Sequence, residues 1–384
     1  MKVIMISTDK NILEGGSAVR ARMVSYGTIC DKLYVLVVGK SGEKNIDKKQ
    51  RLRISENVFV YSVTSRFKIL SLFKAYRLGV YLTKDFGLGG DGYLITAQDP
   101  FENGFVAWGI SKKTKSKLQL QIHTDFLSPY FRSESFLNKF RVMISRFLLP
   151  RSDGIRVVSR RISSSLKTNN YRLTNTPTIL PIFVDVESIR KVNPVIDLHK
   201  RYPQFDFIFL VASRLTREKN IGVVLEAMSS LVKKYPNVGL VVVGSGPEES
   251  NLKFKIKNYK LGGNVVLESW QNEMISYYKT ADTFILPSNY EGFGMTLVEA
   301  AASLCPIISS DVGIVGDILQ KDKDILVCDS GDVDCFVNNM EHFINDPQAR
   351  KECATSAQEA IQVLRLEKEE YLKKMQESWA SCFR

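Results

Sequence analysis

The sequence predicts an α/β protein of two doubly wound, Rossmann-like domains, on three observations. Short apolar runs alternate with amphipathic helical stretches along almost all of the chain, the rhythm of a parallel sheet with crossover helices. That series is interrupted around residues 185–202, a stretch punctuated by Pro194 and Pro203, and then starts again. The length, 384 residues, exceeds what one core comfortably holds and suits two units of roughly 150–200 residues. The expected division is an N-terminal domain over 1–185 and a C-terminal domain over 186–365. A last helix over 366–384 is expected to pack back toward the first domain.

In the first half, residues 3–7 read as a strand that leads into a loop holding Glu14-Gly15-Gly16-Ser17. A helix over 18–30 and a strand over 33–38 follow. Residues 40–53 are polar and read as an exposed loop, before a strand at 58–63, an amphipathic helix at 67–84 and a strand at 92–96. A helix opens at 105–111, and the strand 118–123 ends in His123-Thr124-Asp125. Residues 126–150 set Phe131, Phe136, Leu137, Phe140, Met143, Ile144, Phe147 and Leu148 near helical spacing. Arg132, Lys139, Arg141, Arg146 and Arg151 are interleaved with them. Such a segment is either an interfacial membrane helix or a core-packed helix with a solvated basic face. A strand at 154–159, a helix at 160–167 and a short strand at 178–182 close the half. The second series has strands at 205–212, 239–244, 264–267, 283–286, 306–309 and 325–328. Its helices are expected at 221–235, 252–259, 273–279 and 294–303, with a mostly helical tail from Val333.

Composition is ordinarily globular, 44% apolar and 24% charged, with no short tandem repeat. No apolar run approaches the roughly 18–20 residues of a membrane span. The apolar start is too short for a signal peptide and reads as a first buried strand, so a cytoplasmic protein is expected. Six cysteines lack C-x-x-C or zinc-type spacing and read as reduced packing residues. Charge is uneven. Residues 1–180 carry 30 Lys and Arg against 13 Asp and Glu, a net of +17, whereas the whole chain carries +12. A basic first half points to an anionic partner, nucleic acid or an acidic membrane surface, or else to a solvated basic surface.

The densest motif lies at 284–302. The apolar run Phe284-Ile285-Leu286 stops at Pro287-Ser288, and Glu291-Gly292-Phe293-Gly294 then opens the helix that carries Glu299. Strand, glycine loop and helix present backbone N–H groups to phosphate. Two carboxylates eight residues apart add acceptors for sugar hydroxyls, the makings of a nucleotide-sugar site. This Pro-Ser-x-x-Glu-Gly-Phe-Gly-x-x-x-x-Glu-Ala pattern resembles the retaining GT-B glycosyltransferases of family 4, whose C-terminal domain is of the glycosyl transferases group 1 type. The resemblance covers nearly the whole chain and implies two Rossmann-like domains facing a central cleft.

It also implies roles. In Ser213-Arg214-Leu215-Thr216-Arg217-Glu218-Lys219, Arg214 and Lys219 would neutralise the donor diphosphate and the charge that grows on it. Glu291 would meet the donor sugar, and His123 would contact it from the first domain, so that His123, Arg214, Lys219 and Glu291 form the catalytic set. Ser213, Gly244, Phe293, Gly294 and Met295 would line the donor pocket, with Glu299 receiving the ribose hydroxyls. Gly16 would meet the β-phosphate, while Gly15, Arg20 and Asp125 would lie on the acceptor or sugar side.

Three departures stand out. The family's Gly-Gly-x-Pro-Glu loop is replaced by Gly313-Ile314-Val315-Gly316-Asp317, and a strand-end glycine is replaced by Glu268-Ser269-Trp270. Asp332-Val333-Asp334 imitates a metal motif but reads as a helix N-cap. The expectation is a metal-independent hexosyltransferase without a cofactor, moving a sugar from a nucleotide-sugar donor to a glycan or lipid-linked acceptor. An anionic membrane surface is the candidate further partner, reached from the cytoplasm, and no nucleic acid is expected. A sugar-nucleotide epimerase, a donor-binding homologue without transfer and a nucleic-acid-binding protein stay open as alternatives.

Overall fold

A computed structural model describes residues 1–42, 51–85 and 92–384. Two compact units emerge: residues 1–181 with 367–384, and residues 182–366.

The first unit holds an eight-stranded sheet among its described residues. Its strands are β1 (Lys2–Ser7), β2 (Lys32–Lys40), β3 (Arg51–Arg53), β4 (Val58–Ser65), β5 (Tyr93–Ala97), β6 (Lys117–Ile122), β7 (Gly154–Val157) and β8 (Thr178–Ile179). They lie in the order β3-β4-β2-β1-β5-β6-β7-β8, all parallel except β3 against β4. Val3, Ile4, Met5, Leu33, Val35, Leu94, Ile95 and Leu120 are fully buried, as central strands covered on both faces must be. The order reverses beside β1, where the loops after β1 and β5 diverge and leave a crevice for ligands.

Four expectations need correction in this unit or beyond it. Residues 40–53 are not all loop: 43–50 lie outside the described residues, but Arg51–Arg53 form an antiparallel edge strand pairing Leu52 with Val60. Its arginines lie over aromatic rings of β4, Arg51 at 5.1 Å from the Phe59 centroid, which charge counting reads only as polarity. Residues 126–150 are two helices, Pro129–Glu134 and Phe136–Leu148, broken at Ser135. Ser135 is extended, and its hydroxyl accepts from the Asn138 N–H at 3.1 Å to cap the second helix.

The stretch at 185–202, where the series is interrupted, is itself structured. It holds the helices Val186–Lys191 and Leu198–Arg201, with Val186 and Leu198 buried. Lys279 donates to the Arg190 carbonyl at 2.8 Å, satisfying the end of the first of these helices. Finally, Cys328 and Cys335 form a disulfide, their Cα atoms 5.7 Å apart across the turn that leads into a helix. That turn brings them together with a spacing no sequence motif marks. Cys305, Cys353 and Cys382 are buried free thiols.

The second unit's sheet comprises β9 (Phe207–Ala212), β10 (Val238–Val243), β11 (Val265–Glu268), β12 (Thr283–Leu286), β13 (Ile307–Ser310) and β14 (Leu326–Cys328). Its order is β11-β10-β9-β12-β13-β14, all parallel. Phe209, Leu240 and Val242 pack with the helix Ile221–Leu231, while Phe336, Met340 and Phe343 pack from the helix Val333–Asn345. The reversal falls between β9 and β12, so the loops after these two strands flank the crevice.

The C-terminal helix Lys368–Ala380 is part of the first unit. Trp379 is fully buried there, edge-on to Tyr26 at 5.9 Å, and Gln119 donates to the Ser378 carbonyl at 2.8 Å.

Candidate active site

In the second unit the chemistry gathers where β9 and β12 diverge. After β9, residues Arg217–Lys219 make a single 3-10 turn, and Asn220 ends it in the left-handed region. After β12, the turn at Asn289 is tied to it: the Asn289 N–H donates to the Glu218 carbonyl at 2.7 Å and the Asn220 amide donates to the Asn289 side chain at 3.0 Å. Lys219 and Glu291 thereby meet at 2.6 Å, both largely buried. Ser288 donates to the same Glu291 oxygen at 2.8 Å. Glu291 is held by two donors before any substrate arrives, which orients one carboxylate oxygen and leaves the other for a ligand. Arg214 is different: its side chain is 72% exposed and leans on Glu218 at 3.2 Å. Such a surface pair is weak and exchanges partners readily.

Glu299 lies on the helix Met295–Ala302, whose first turn no side chain caps. Burial pushes its carboxyl up to about 7, with the Tyr278 hydroxyl donating to it at 3.1 Å and pulling the other way. It pairs with a tyrosine of another helix rather than within its own. Ser288 and Tyr278 were not singled out from the sequence. Ser288 was visible three residues before Glu291, but Tyr278 is 21 residues from its partner and carries no local signal.

Gly244 is forced by close approach: a Cβ there would fall 1.9 Å from the Ser213 carbonyl oxygen. The loops after β9 and β10 are laced at this point, Ser213 N–H to the Val243 carbonyl at 3.1 Å and Leu215 N–H to the Ser245 carbonyl at 3.0 Å. Ser213 is buried. Gly313 is constrained as well, with φ +60° and a Cβ position 2.4 Å from the Phe293 carbonyl oxygen. Ile314 N–H donates to that carbonyl at 3.1 Å. The divergent loop therefore packs on Phe293-Gly294, just ahead of Met295, with Ile314 and Val315 buried. Its apolar residues fill core instead of lining an opening.

The Glu268 departure also resolves into structure. Its carboxylate accepts from the hydroxyls of Tyr202 and, at 2.6 Å, Tyr277, and pairs with Arg201 at 3.3 Å. Burial and this carboxylate push both phenols up, Tyr202 to about 12. Asp332 accepts from the Cys335 N–H at 3.0 Å, the N-cap expected of it.

The remaining candidates belong to the first unit. Ser17 caps the helix Ala18–Gly27 by accepting from the Arg20 N–H at 3.1 Å. The Arg20 guanidinium folds back over Gly15, 3.7 Å from where a Cβ would sit, and Gly16 completes the turn. His123 follows β6, and its Nε2 is 3.1 Å from Gln121 Oε1. The buried Arg156, which can only donate, also points at Gln121 Oε1, at 3.0 Å. That oxygen must therefore accept, so His123 carries its proton on Nε2 and leaves Nδ1 as an acceptor. Burial, with Arg156 and Arg22 nearby, pushes the His123 pKa down to about 3, and the ring is neutral. Asp125 is raised by burial, against Arg161 and the N–H groups of Leu127 and Ser128.

Comparison with known proteins bears on what this site is. Residues 199–360 match the family of glycosyl transferases group 1. The capsular polysaccharide biosynthesis glycosyltransferase CapM of Staphylococcus aureus is 28% identical over 205 residues, 50% of this chain and 53% of that protein. The UDP-Gal:alpha-D-GlcNAc-diphosphoundecaprenol alpha-1,3-galactosyltransferase of Escherichia coli is 25% identical over 175 residues, 44% of this chain and 45% of that one. The chain spans about half the length of the curated relatives it matches. Among solved structures, sucrose-phosphate synthase from Thermosynechococcus elongatus superposes with a TM-score of 0.79 at 18% identity, over 98% of this chain and 97% of that one. HepE from Anabaena in complex with UDP-glucose gives 0.77 at 17% identity, over 99% and 100%. Residues 199–360 are a glycosyl transferases group 1 domain, within a chain of the GT-B glycosyltransferase fold.

Proposed function

We propose that the chain is a retaining hexosyltransferase that moves a sugar from a nucleotide-sugar to a hydroxyl of a cell-envelope or lipid-linked glycan, without a metal. The observation that carries this reading is the Lys219–Glu291 pair at the β9/β12 divergence, followed by the helix that bears Glu299. A lysine ammonium has three donors, so Lys219 can hold Glu291 and still reach a diphosphate oxygen. Arg214 releases Glu218 to share that charge, and the two cations do the work a metal would otherwise do. Glu299 takes the ribose hydroxyls, and Gly16, at the start of the first unit's first helix, takes the β-phosphate. His123 Nδ1 accepts from a sugar hydroxyl.

No side chain is cast as nucleophile. As the anomeric carbon–oxygen bond breaks, the leaving diphosphate takes the proton of the acceptor hydroxyl, and the new bond forms on the same face. Catalysis is then positioning plus charge stabilisation. The uridine diphosphate sugars named for HepE and for the galactosyltransferase relative make UDP-sugars the donors to try first. The envelope acceptors in the relatives' names, and the net +17 of residues 1–180, favour an acceptor presented at an anionic membrane surface, reached from the cytoplasm.

The test is thermal unfolding with UDP, GDP and ADP and their sugar conjugates. A ligand at 100 times its Kd adds about 2.7 kcal/mol. One base is expected to stabilise the protein and to lose that effect in Glu299→Ala; no stabilisation by any of them overturns the reading. Transfer unchanged by a chelator is the expected result for a metal-free reaction.

A further inference from the structure

We propose that three helices of the first unit form one docking face for an anionic lipid bilayer, with apolar side chains that enter it. The inference deepens the membrane part of the proposed function and extends it to helices whose sequences do not announce it.

Lys68–Asp85 packs on Glu102–Thr114, and Glu102–Thr114 on Phe136–Leu148. A helix on a soluble domain turns its polar side outward, but two of these turn apolar stripes to solvent. On the first, Ile69 (74% exposed), Leu70 and Phe73 lie at helical spacing, with Phe67 just before them. On the third, Phe136 (85% exposed), Phe140 and Met143 do the same. The middle helix joins them: Trp108 lies tilted against Phe105 at 5.6 Å and edge-on to Phe147 at 5.1 Å, and Tyr76 packs against Gly109. Contiguous apolar surface of this kind marks an interaction site.

Charge decides the occupant. The three helices carry nine Lys and Arg against two acidic residues. One of the two, Glu102, is already tied to Arg141 at 3.0 Å and to Lys68 at 3.6 Å. Lys139, Arg146, Lys74 and Arg77 are exposed beside the apolar stripes. A second copy of the chain would set nine cations against nine, a like-charge clash. Nucleic acid would match the charge but leave the most protruding groups, phenylalanines and an isoleucine, without a partner. An anionic bilayer satisfies both: basic groups at the phosphates and apolar tips among the acyl chains.

The test is flotation of the full chain with phosphatidylcholine vesicles, with and without phosphatidylglycerol. Binding is expected only with phosphatidylglycerol. Phe136→Ser and Ile69→Ser should each weaken it about tenfold, since each removes one buried apolar side chain. Lys139→Glu should weaken it by more than the roughly fivefold of one lost cation. Trp108 fluorescence should change on binding in the wild type. Stabilisation by the nucleotide is expected to persist in all three variants, so loss of docking and failure of the transferase reading separate. Wild-type binding to neutral vesicles alone, or binding unaffected by Phe136→Ser and Ile69→Ser, overturns the proposal. So does a dimer in solution that Phe136→Ser converts to monomer, because the face would then be an interface between copies.

Discussion

Lys219 and Glu291 meet at 2.6 Å although 72 residues separate them, and the Ser288 hydroxyl shares the same carboxylate oxygen. If Lys219 stabilises the leaving diphosphate, Lys219→Ala should lower kcat by about 10²–10³, the usual loss of one charge-stabilising group. The fold should survive, because Glu291 keeps Ser288. Glu299 gives a pH test. Its folded value, about 7, lies above the ordinary 4.5, so between those values the folded protein keeps a proton the unfolded chain has lost. Its contribution therefore lowers stability as pH rises through that window. Nucleotide binding should run the other way, strengthening as pH passes 7 and the carboxylate becomes able to accept both ribose hydroxyls. Calorimetric titration at pH 6 and 8 should find this trend in the wild type and not in Glu299→Gln. His123, neutral down to about pH 3, should add no limb to the activity profile between pH 5 and 8.

Loops, not side chains alone, set the spacing of the site. The turns after β9, β10 and β12 are tied by backbone hydrogen bonds, and Gly244 lets the first two approach. Gly244→Ala places a methyl group on the Ser213 carbonyl, so the loop bearing Arg214 and Lys219 must shift. Weakening of nucleotide binding by tenfold or more is expected, along with about 1–3 kcal/mol of lost stability, as in overpacked cores. A variant with wild-type affinity would show that the contact does not position Arg214. At the same scale, the Ser135 break re-aims the helix Phe136–Leu148, and an uninterrupted helix from residue 126 would not follow from this sequence once Pro129 and Ser135 are read as helix starts.

For the whole molecule, the chain's last helix completes the first unit. Arg156, wholly buried, donates to the Leu180 and Pro181 carbonyls, to Gln121 and to the Tyr371 hydroxyl, the last at 3.1 Å. Removing residues 367–384 would strip that partner and uncover Tyr26 and Gln119. Trp379→Ala alone should cost about 3–5 kcal/mol. Thermal unfolding should register the loss, while the second unit's nucleotide response persists. Equal destabilisation of both transitions would mean that the two units unfold together.

The sequence by itself determined the α/β class, the two series of parallel strands and the carboxylate-and-cation loop of the second unit. These features are local: apolar runs, turn residues and a dense motif spanning 284–302. Tertiary structure alone decided which distant groups meet. It paired Glu299 with Tyr278, Glu268 with Tyr202 and Tyr277, and Cys328 with Cys335. It gave the 185–202 stretch, an interruption in the strand-and-helix series, two short helices that bury Val186 and Leu198. It also settled the proton on His123, through an arginine 33 residues away that forces Gln121 to accept. Local pattern records what a segment prefers, whereas burial and hydrogen-bond satisfaction depend on what the rest of the chain brings beside it.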